Sequence, residues 1–267
     1  MAIERYYDAA HRRLVYVGRA PSAETWDEWW RADASRHSIT APRNWFVVGK
    51  TRKYLAPGAR VLDGGCGRGD KVYALRRAGF DAVGLDFAPA TVRAIGAAVP
   101  DLAVVGGDVR RLPFADASFD GYWSLGVIEH FYTGYGRLLR EIRRVLRPGG
   151  VLFLTFPSVS PLRAALIRRG KYPAFADTPE ARAAFWQFAL DSNTIVADFQ
   201  RAGFALMHQS GRGGMIGVRE EAGRFGPVIE YVETHQSFLP FRALYVLGNL
   251  ALSPFAFHIR FLVFRRT

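Results

Sequence analysis

Apolar and polar positions along this chain follow two different rhythms. From Ala59 to Phe156, short apolar runs alternate with amphipathic segments. Strands are predicted at Ala59–Asp63, Asp81–Leu85, Leu102–Val105, Phe119–Ser124 and Val151–Phe156, and helices at Asp70–Ala78, Pro89–Ala98 and Gly136–Leu146, the last stopped by Pro148, Gly149 and Gly150. Strands and helices in alternation, joined by short loops, predict an α/β fold, a doubly wound parallel sheet covered on both faces. Before it, helical spacing predicts helices over Glu4–Val17, Glu24–Ala32 and Pro42–Leu55. The second sets Trp26, Trp29 and Trp30 on one face, a stripe expected to pack in the core, with a lid over substrate as the alternative. After it come an amphipathic helix over Pro161–Arg169 and a helix over Thr178–Leu190 that turns Phe185, Trp186 and Phe188 inward. A helix over Ser192–Ala202, a strand over Phe204–Gln209, a helix over Phe238–Leu252 and a strand over His258–Arg265 follow, with a lid helix over Arg219–Glu233 in the insertion Gly211–Ser237. The expected divisions are a helical cap (1–55), a core (56–157), a basic helical insertion (158–191) and the rest of the core sheet (192–267), the last carrying the lid at 211–237.

In such sheets ligands lie beyond the carboxyl ends of the strands, which points to Asp63, Asp86, Asp108 and the Ser124-Leu125 pair. Asp63 opens the turn Asp63-Gly64-Gly65-Cys66-Gly67-Arg68-Gly69, and a helix starts near Asp70. Glycine lets backbone approach a ligand closely and the helix start adds unpaired N–H groups, so this is a nucleotide-type corner. A dinucleotide fingerprint needs G-x-G-x-x-G; one register puts Asp70 at the last glycine, and the other puts Cys66 at the second. No G-K-[ST] follows the turn, which excludes a P-loop. Asp86 lies about twenty residues further on, where a carboxylate can accept both hydroxyls of a ribose. Asp108 can accept from an adenine amino group while the Val109 N–H donates to a ring nitrogen, with Phe87 beside the base. Asp70 at the helix start opposes a pyrophosphate, so a ligand without phosphate is expected.

In order along the chain, Asp63-Gly64-Gly65-Cys66-Gly67-Arg68-Gly69, Asp86, Gly107-Asp108-Val109, Leu112-Pro113-Phe114, Ser118-Phe119-Asp120, Val127-Ile128-Glu129-His130 and Leu146-Arg147-Pro148-Gly149-Gly150 resemble the motifs of class I S-adenosylmethionine-dependent methyltransferases. More narrowly, they resemble those of the small-molecule branch that includes the quinone-biosynthesis and related methyltransferases. The resemblance implies S-adenosylmethionine as cofactor, S-adenosylhomocysteine as its product, no metal, and a seven-stranded Rossmann-like sheet whose last strand is inserted antiparallel. It implies that Asp63 and the Gly65 and Gly67 backbone hold the methionine part, in a turn where the family permits acid or glycine at Gly64. Asp86 would take the ribose, Asp108 and Val109 the adenine, and Leu125 would line the path to the sulfonium. His130 is the candidate general base, a role worth about 10²–10⁴-fold when the nucleophile is a hydroxyl. The alternative makes Glu129-His130 a capping pair beneath the site. His37 and His235 lie outside the motifs and are expected to be surface or structural residues.

Composition narrows the partners. A chain of 267 residues, 49% hydrophobic, suits an enzyme-sized globular fold with insertions, and its net charge of +12 suits nucleic acid, an anionic membrane or an acidic substrate. The single cysteine, Cys66, leaves no internal disulfide, and Met1–Tyr16 does not resemble a signal peptide, so a cytoplasmic protein is expected, with membrane association open. Ile142–Ala176 holds Arg143, Arg144, Arg147, Arg163, Arg168, Arg169 and Lys171 but no acid, so its helix could rest on an anionic bilayer, bind an acidic acceptor or form a merely solvated cap. Ala243–Ile259 is uncharged but interrupted by Asn249 and Pro254, which suits peripheral contact better than spanning. The leading expectation is in-line methyl transfer to a small apolar or lipid-linked acceptor, such as a quinone, polyketide, lipid or glycan precursor. An RNA or protein acceptor is the alternative, opposed by the lack of an RNA-binding module and by Ser124-Leu125-Gly126-Val127 where an Asn/Asp-Pro-Pro-Tyr/Phe motif would stand. A non-catalytic binding protein is the third reading, opposed by the filled cofactor positions.

Overall fold

The computed structural model describes residues 3–34, 38–40, 44–221, 223 and 226–267; His37 and the expected helix start at Pro42 lie outside them. In chain order the elements are β1 (Glu4–Asp8), β2 (Arg13–Val17), α1 (Ala23–Ala34), α2 (Trp45–Tyr54), β3 (Arg60–Gly64), α3 (Asp70–Arg77), β4 (Asp81–Asp86), α4 (Pro89–Ala98), β5 (Val104–Gly106), β6 (Phe119–Leu125), α5 (Gly136–Val145) and β7 (Leu146–Pro157). They continue with α6 (Pro161–Arg168), α7 (Pro179–Ala183), β8 (Phe185–Ala189), α8 (Ser192–Arg201), β9 (Phe204–Arg212), α9 (Gly214–Glu221), α10 (Gly226–Thr234), α11 (Leu239–Ala256) and β10 (Ile259–Arg266). The chain divides into two compact units: Ala20–Leu154 with Ala197–Met207 and Val263–Thr267, and Met1–Arg19 with Thr155–Val196 and His208–Leu262.

Seven strands form one sheet in the order β5-β4-β3-β6-β7-β10-β9, with β3 paired in parallel to both β4 and β6. The chain winds outward from β3 to β5 and then returns to β6 beside β3, which makes the carboxyl ends of β3 and β6 the topological switch point. The Thr267 N–H donates to the Gly203 carbonyl and the His258 N–H to that of Arg212. The last strand therefore runs antiparallel to β9 and is inserted between it and β7, as the resemblance implied. Val61, Leu62, Leu85, Tyr122, Trp123, Leu152 and Phe153 are fully buried, the near-continuous apolar runs of strands covered on both faces. Trp123 stacks on Phe153 with ring centroids 4.2 Å apart, and its Nε1–H donates to the buried Thr51 Oγ1 at 3.0 Å, which ties α2 to the sheet.

The other unit corrects three expectations. Glu4–Val17 is a β-hairpin rather than a helix, with Tyr6 opposite Val15 and Tyr7 opposite Leu14. Arg12 adopts a left-handed φ of 53° in its turn, and Arg13 and His11 both bond the Asp8 carboxylate. Thr178–Leu190 is helical only over α7, which Thr178 caps; Phe185–Ala189 then pairs with β2 as the third strand of a small sheet. Phe185, Trp186 and Phe188 are buried as expected, but in a strand, the element that aromatic runs favour. Arg219–Glu233 contains two helices, α9 and α10, in place of one. In the basic helix α6 the arginines divide: Arg168 is exposed, whereas Arg163 is 1% exposed. Its guanidinium donates to the Ser158 carbonyl at 2.9 Å and pairs with Glu220 and with Glu221 at 3.2 Å, while Arg5 and Lys171 each reach Glu221 at 2.8 Å. Such a buried cluster is held because each charge meets an opposite one.

Candidate functional site

The glycine turn closes β3 and starts α3. Gly67 has φ of 52°, in the left-handed region, and a Cβ added there would meet the Trp30 indole at 2.6–2.9 Å. Gly64 sits against the wall of the sheet, where an added Cβ would lie 2.0 Å from the Tyr122 hydroxyl. The donors of the turn are engaged internally. The Gly65 and Cys66 N–H groups donate to the Leu85 carbonyl at 2.8 and 3.0 Å, and the Gly67 N–H to Asp86 Oδ2 at 2.8 Å. A loop whose N–H groups are occupied offers carbonyl oxygens and no phosphate cradle. At its base, Asp63 is 1% exposed and neither carboxylate oxygen has a hydrogen-bond partner among the described residues. Burial raises its pKa from 3.8 to about 7, partly countered by Lys71. An unmet buried carboxylate beside backbone carbonyls suits a cationic group such as an amino acid's ammonium, so these residues fit S-adenosylmethionine.

Asp86 is also buried, and burial raises its carboxyl above the ordinary range although the Ala88 and Gly67 N–H groups both donate to it. A carboxylate has about four lone-pair sites, so these two bonds leave room for two hydroxyls. Asp108 is half-exposed, and its two oxygens take the Arg110 guanidinium at 2.7–3.0 Å. Burial opposes its ionisation, but Arg110 outweighs burial and holds the carboxyl low. Val109 is buried, Phe87 is 47% exposed, and Leu125 ends β6 half-buried. Asp70 begins α3, where Asn44 donates to it at 3.0 Å and Lys71 at 3.2 Å.

Helix α1 covers this corner. It buries none of its own residues, and Trp29 is 49% exposed, so the tryptophan stripe packs against this unit, as expected, but is not part of its buried core. Trp30 lies on Gly67 and stacks on Trp26 at 6.0 Å, and Trp26 meets the His130 ring edge to face at 5.0 Å. Polar contacts latch the helix down. Asp27 accepts the Thr91 N–H and hydroxyl, both at 2.7 Å, and the Ala90 N–H at 3.2 Å, which satisfies the first turn of α4. Asp33 pairs with Arg68 at 2.9 Å.

Beneath His130, Glu129 is 2% exposed, with Oε2 unbonded among the described residues, and burial raises its pKa to about 8. Glu129 and His130 thus share one 3₁₀ turn, Ile128–His130, with the acid inside and the imidazole at the tryptophans. His235 is exposed at the end of α10, stacked on Tyr231. Sequence reasoning missed Asp27, Arg110 and Asn44. Their partners are distant in sequence or depend on loop conformation, so no local pattern marks them.

Residues 62–154 match a family described as a methyltransferase domain. A demethylmenaquinone methyltransferase of Beutenbergia cavernae is 34% identical over 180 residues, covering 62% of this chain and 70% of that one. A malonyl-[acyl-carrier protein] O-methyltransferase of Erwinia pyrifoliae is 32% identical over 179 residues, covering 60% of this chain and 68% of its own length. Among solved structures, the 1,6-didemethyltoxoflavin-N1-methyltransferase of Burkholderia thailandensis, with 1,6-didemethyltoxoflavin and S-adenosylhomocysteine bound, superposes with a TM-score of 0.52 at 19% identity, covering 99% of both chains.

Proposed function

The chain belongs to the class I S-adenosylmethionine-dependent methyltransferases, and on that premise we propose that it methylates a small apolar acceptor admitted beneath the tryptophans of α1. Bound S-adenosylmethionine supplies an electrophilic sulfonium methyl. Asp63 and the carbonyls of the glycine turn hold the ammonium end, Asp86 the ribose hydroxyls, and Asp108, Val109 and Phe87 the adenine. Leu125 lines the side from which the acceptor approaches. Holding a nucleophile in line with the transferred group and excluding water accounts for about 7–11 kcal/mol of barrier reduction. Trp26 and Trp30 exclude the water. His130 takes the proton of a hydroxyl acceptor at a ring nitrogen, with Trp26 fixing the plane of the imidazole.

The observation that carries the reading is the aromatic cover, Trp30 on Gly67 and Trp26 on His130. It gives the transfer end of the site an apolar wall suited to a flat or acyl-bearing molecule. The names of the two relatives, one for a demethylmenaquinone and one for a malonyl-[acyl-carrier protein], favour a biosynthetic acceptor over RNA and do not choose between acceptor types. A quinone, polyketide, lipid or lipid-linked glycan precursor fits. The test follows tritiated methyl from S-adenosylmethionine into a cell extract. Label in the organic-extractable fraction is expected, and His130→Asn should lower kcat by about 10²–10⁴-fold with S-adenosylhomocysteine affinity unchanged. Label in RNA or protein would overturn the acceptor class, and an unaltered kcat would remove His130 from the chemistry.

A further inference from the structure

Helix α11 has its amphipathicity reversed. Two of its uncharged polar side chains turn inward: Asn249 Oδ1 accepts the Met215 N–H at 3.2 Å and Ser253 Oγ accepts the Gly214 N–H at 3.2 Å, both from α9 of the same unit. Its large apolar side chains turn outward, with Leu239 73%, Leu247 62% and Leu250 74% exposed. At 100° per residue the exposed positions of α11 cover an arc of about 220°. Phe238, Tyr231 and Val228 extend the apolar area onto α10. A surface helix of a globular protein normally shows the opposite pattern, and an apolar patch of this breadth marks an interaction surface.

Charge selects the occupant. Arg242 is the one charged residue between Phe238 and Phe257, and it is exposed on the apolar arc. Helix α6, which packs against α11, exposes Arg168, and Arg169 just after it is exposed too. A second copy seated face to face would bury Arg242 against an arc that carries no carboxylate to meet it. An anionic bilayer meets both requirements, acyl chains for the leucines and phosphates for the arginines. No helix among the described residues is long and apolar enough to cross a membrane. We infer that α11 lies in the interface of an anionic bilayer, with Leu239, Val246, Leu247 and Leu250 among the acyl chains and Arg242, Arg168 and Arg169 at the phosphates.

The inference is independent of the acceptor, and its test needs neither cofactor nor substrate. The protein is floated with vesicles of phosphatidylcholine alone and of phosphatidylcholine with an equal part of phosphatidylglycerol. Binding is expected on the anionic vesicles. Leu247→Ser with Leu250→Ser should weaken it at least about tenfold, and Arg242→Gln about fivefold. Both residues are exposed, so unchanged urea midpoints should accompany the loss. Absence of binding to either vesicle, or equal binding by the double variant, would overturn the inference. A concentration-dependent dimer that dissociates in the double variant without any vesicle binding would overturn it too, and would assign the face to a second copy.

Discussion

Replacing Asp63 with Asn should stabilise the cofactor-free protein at pH 8 while disabling it for cofactor binding. The carboxyl is 1% exposed, has no hydrogen-bond partner among the described residues, and titrates near 7 against an ordinary 3.8. Three pKa units correspond to about 4 kcal/mol. The sign follows from proton counting. Between pH 3.8 and 7 the unfolded chain has released the proton and the folded chain has kept it, so stability falls as pH rises and the full penalty is reached above pH 7. About 2–3 kcal/mol of that loss lies between pH 5 and 8. Asn does not titrate, and its unpaired buried amide costs about 1–3 kcal/mol at every pH. Lys71 loses the Asp63 charge in the variant but keeps Asp70, its larger charge partner. Urea unfolding of both apoproteins at pH 5, 6, 7 and 8 should show the variant gaining about 2–3 kcal/mol relative to wild type across the series. Parallel pH profiles would refute the reasoning, because they would mean that Asp63 ionises normally in the fold.

The remaining predictions concern the cover and the residues packed around the turn. Asp27→Ala removes three hydrogen bonds at the start of α4; it should cost about 1 kcal/mol and raise acrylamide quenching of tryptophan fluorescence as α1 loosens, and unchanged quenching would mean the latch does not hold the helix. Gly64→Ala forces a Cβ to within 2.0 Å of the buried Tyr122 hydroxyl and should cost about 1–3 kcal/mol by urea unfolding. Glu129, raised from 4.5 to about 8, keeps its proton in the fold while the unfolded chain releases it, so wild-type stability should fall as pH rises from 4.5 to 8 and level off above. Glu129→Gln does not titrate and should therefore gain in Tm relative to wild type from pH 5 to 8, with little further gain above pH 9; a Tm difference that does not change with pH would show that the acid ionises normally in the fold.

The glycine turn and the acids at the strand tips were legible because they are local patterns: a strand, glycines at fixed spacing, then a helix. Helix α4, Pro89–Ala98, lies where apolar periodicity places it. The hairpin of β1 and β2 was not legible, because Leu14, Val15 and Tyr16 are buried in succession without the alternation of a half-exposed strand, and β8, which pairs with β2, comes far later in the chain. The tryptophan stripe shows in the sequence as a period, but its counterparts, Gly67 and His130, do not. Asp63 reads as an acid at a strand end, while its lack of a partner is a property of the folded interior. The uncharged run at α11 was equally visible, but that Asn249 and Ser253 point inward and the leucines outward depends on where α9 packs. Local chemistry is thus written in spacing, whereas covers, latches and exposed faces depend on contacts between segments remote in sequence.

The central claim is that the turn from Asp63 to Gly69, with Asp86, holds S-adenosylmethionine. Calorimetric titration with S-adenosylhomocysteine tests it most directly, on wild type and on Asp86→Asn, which keeps the shape of the side chain and removes its charge. Wild type should bind, and the variant should bind at least about thirtyfold more weakly through the loss of charge-assisted hydrogen bonds to the ribose. Equal affinities, or no binding by wild type, would contradict the account.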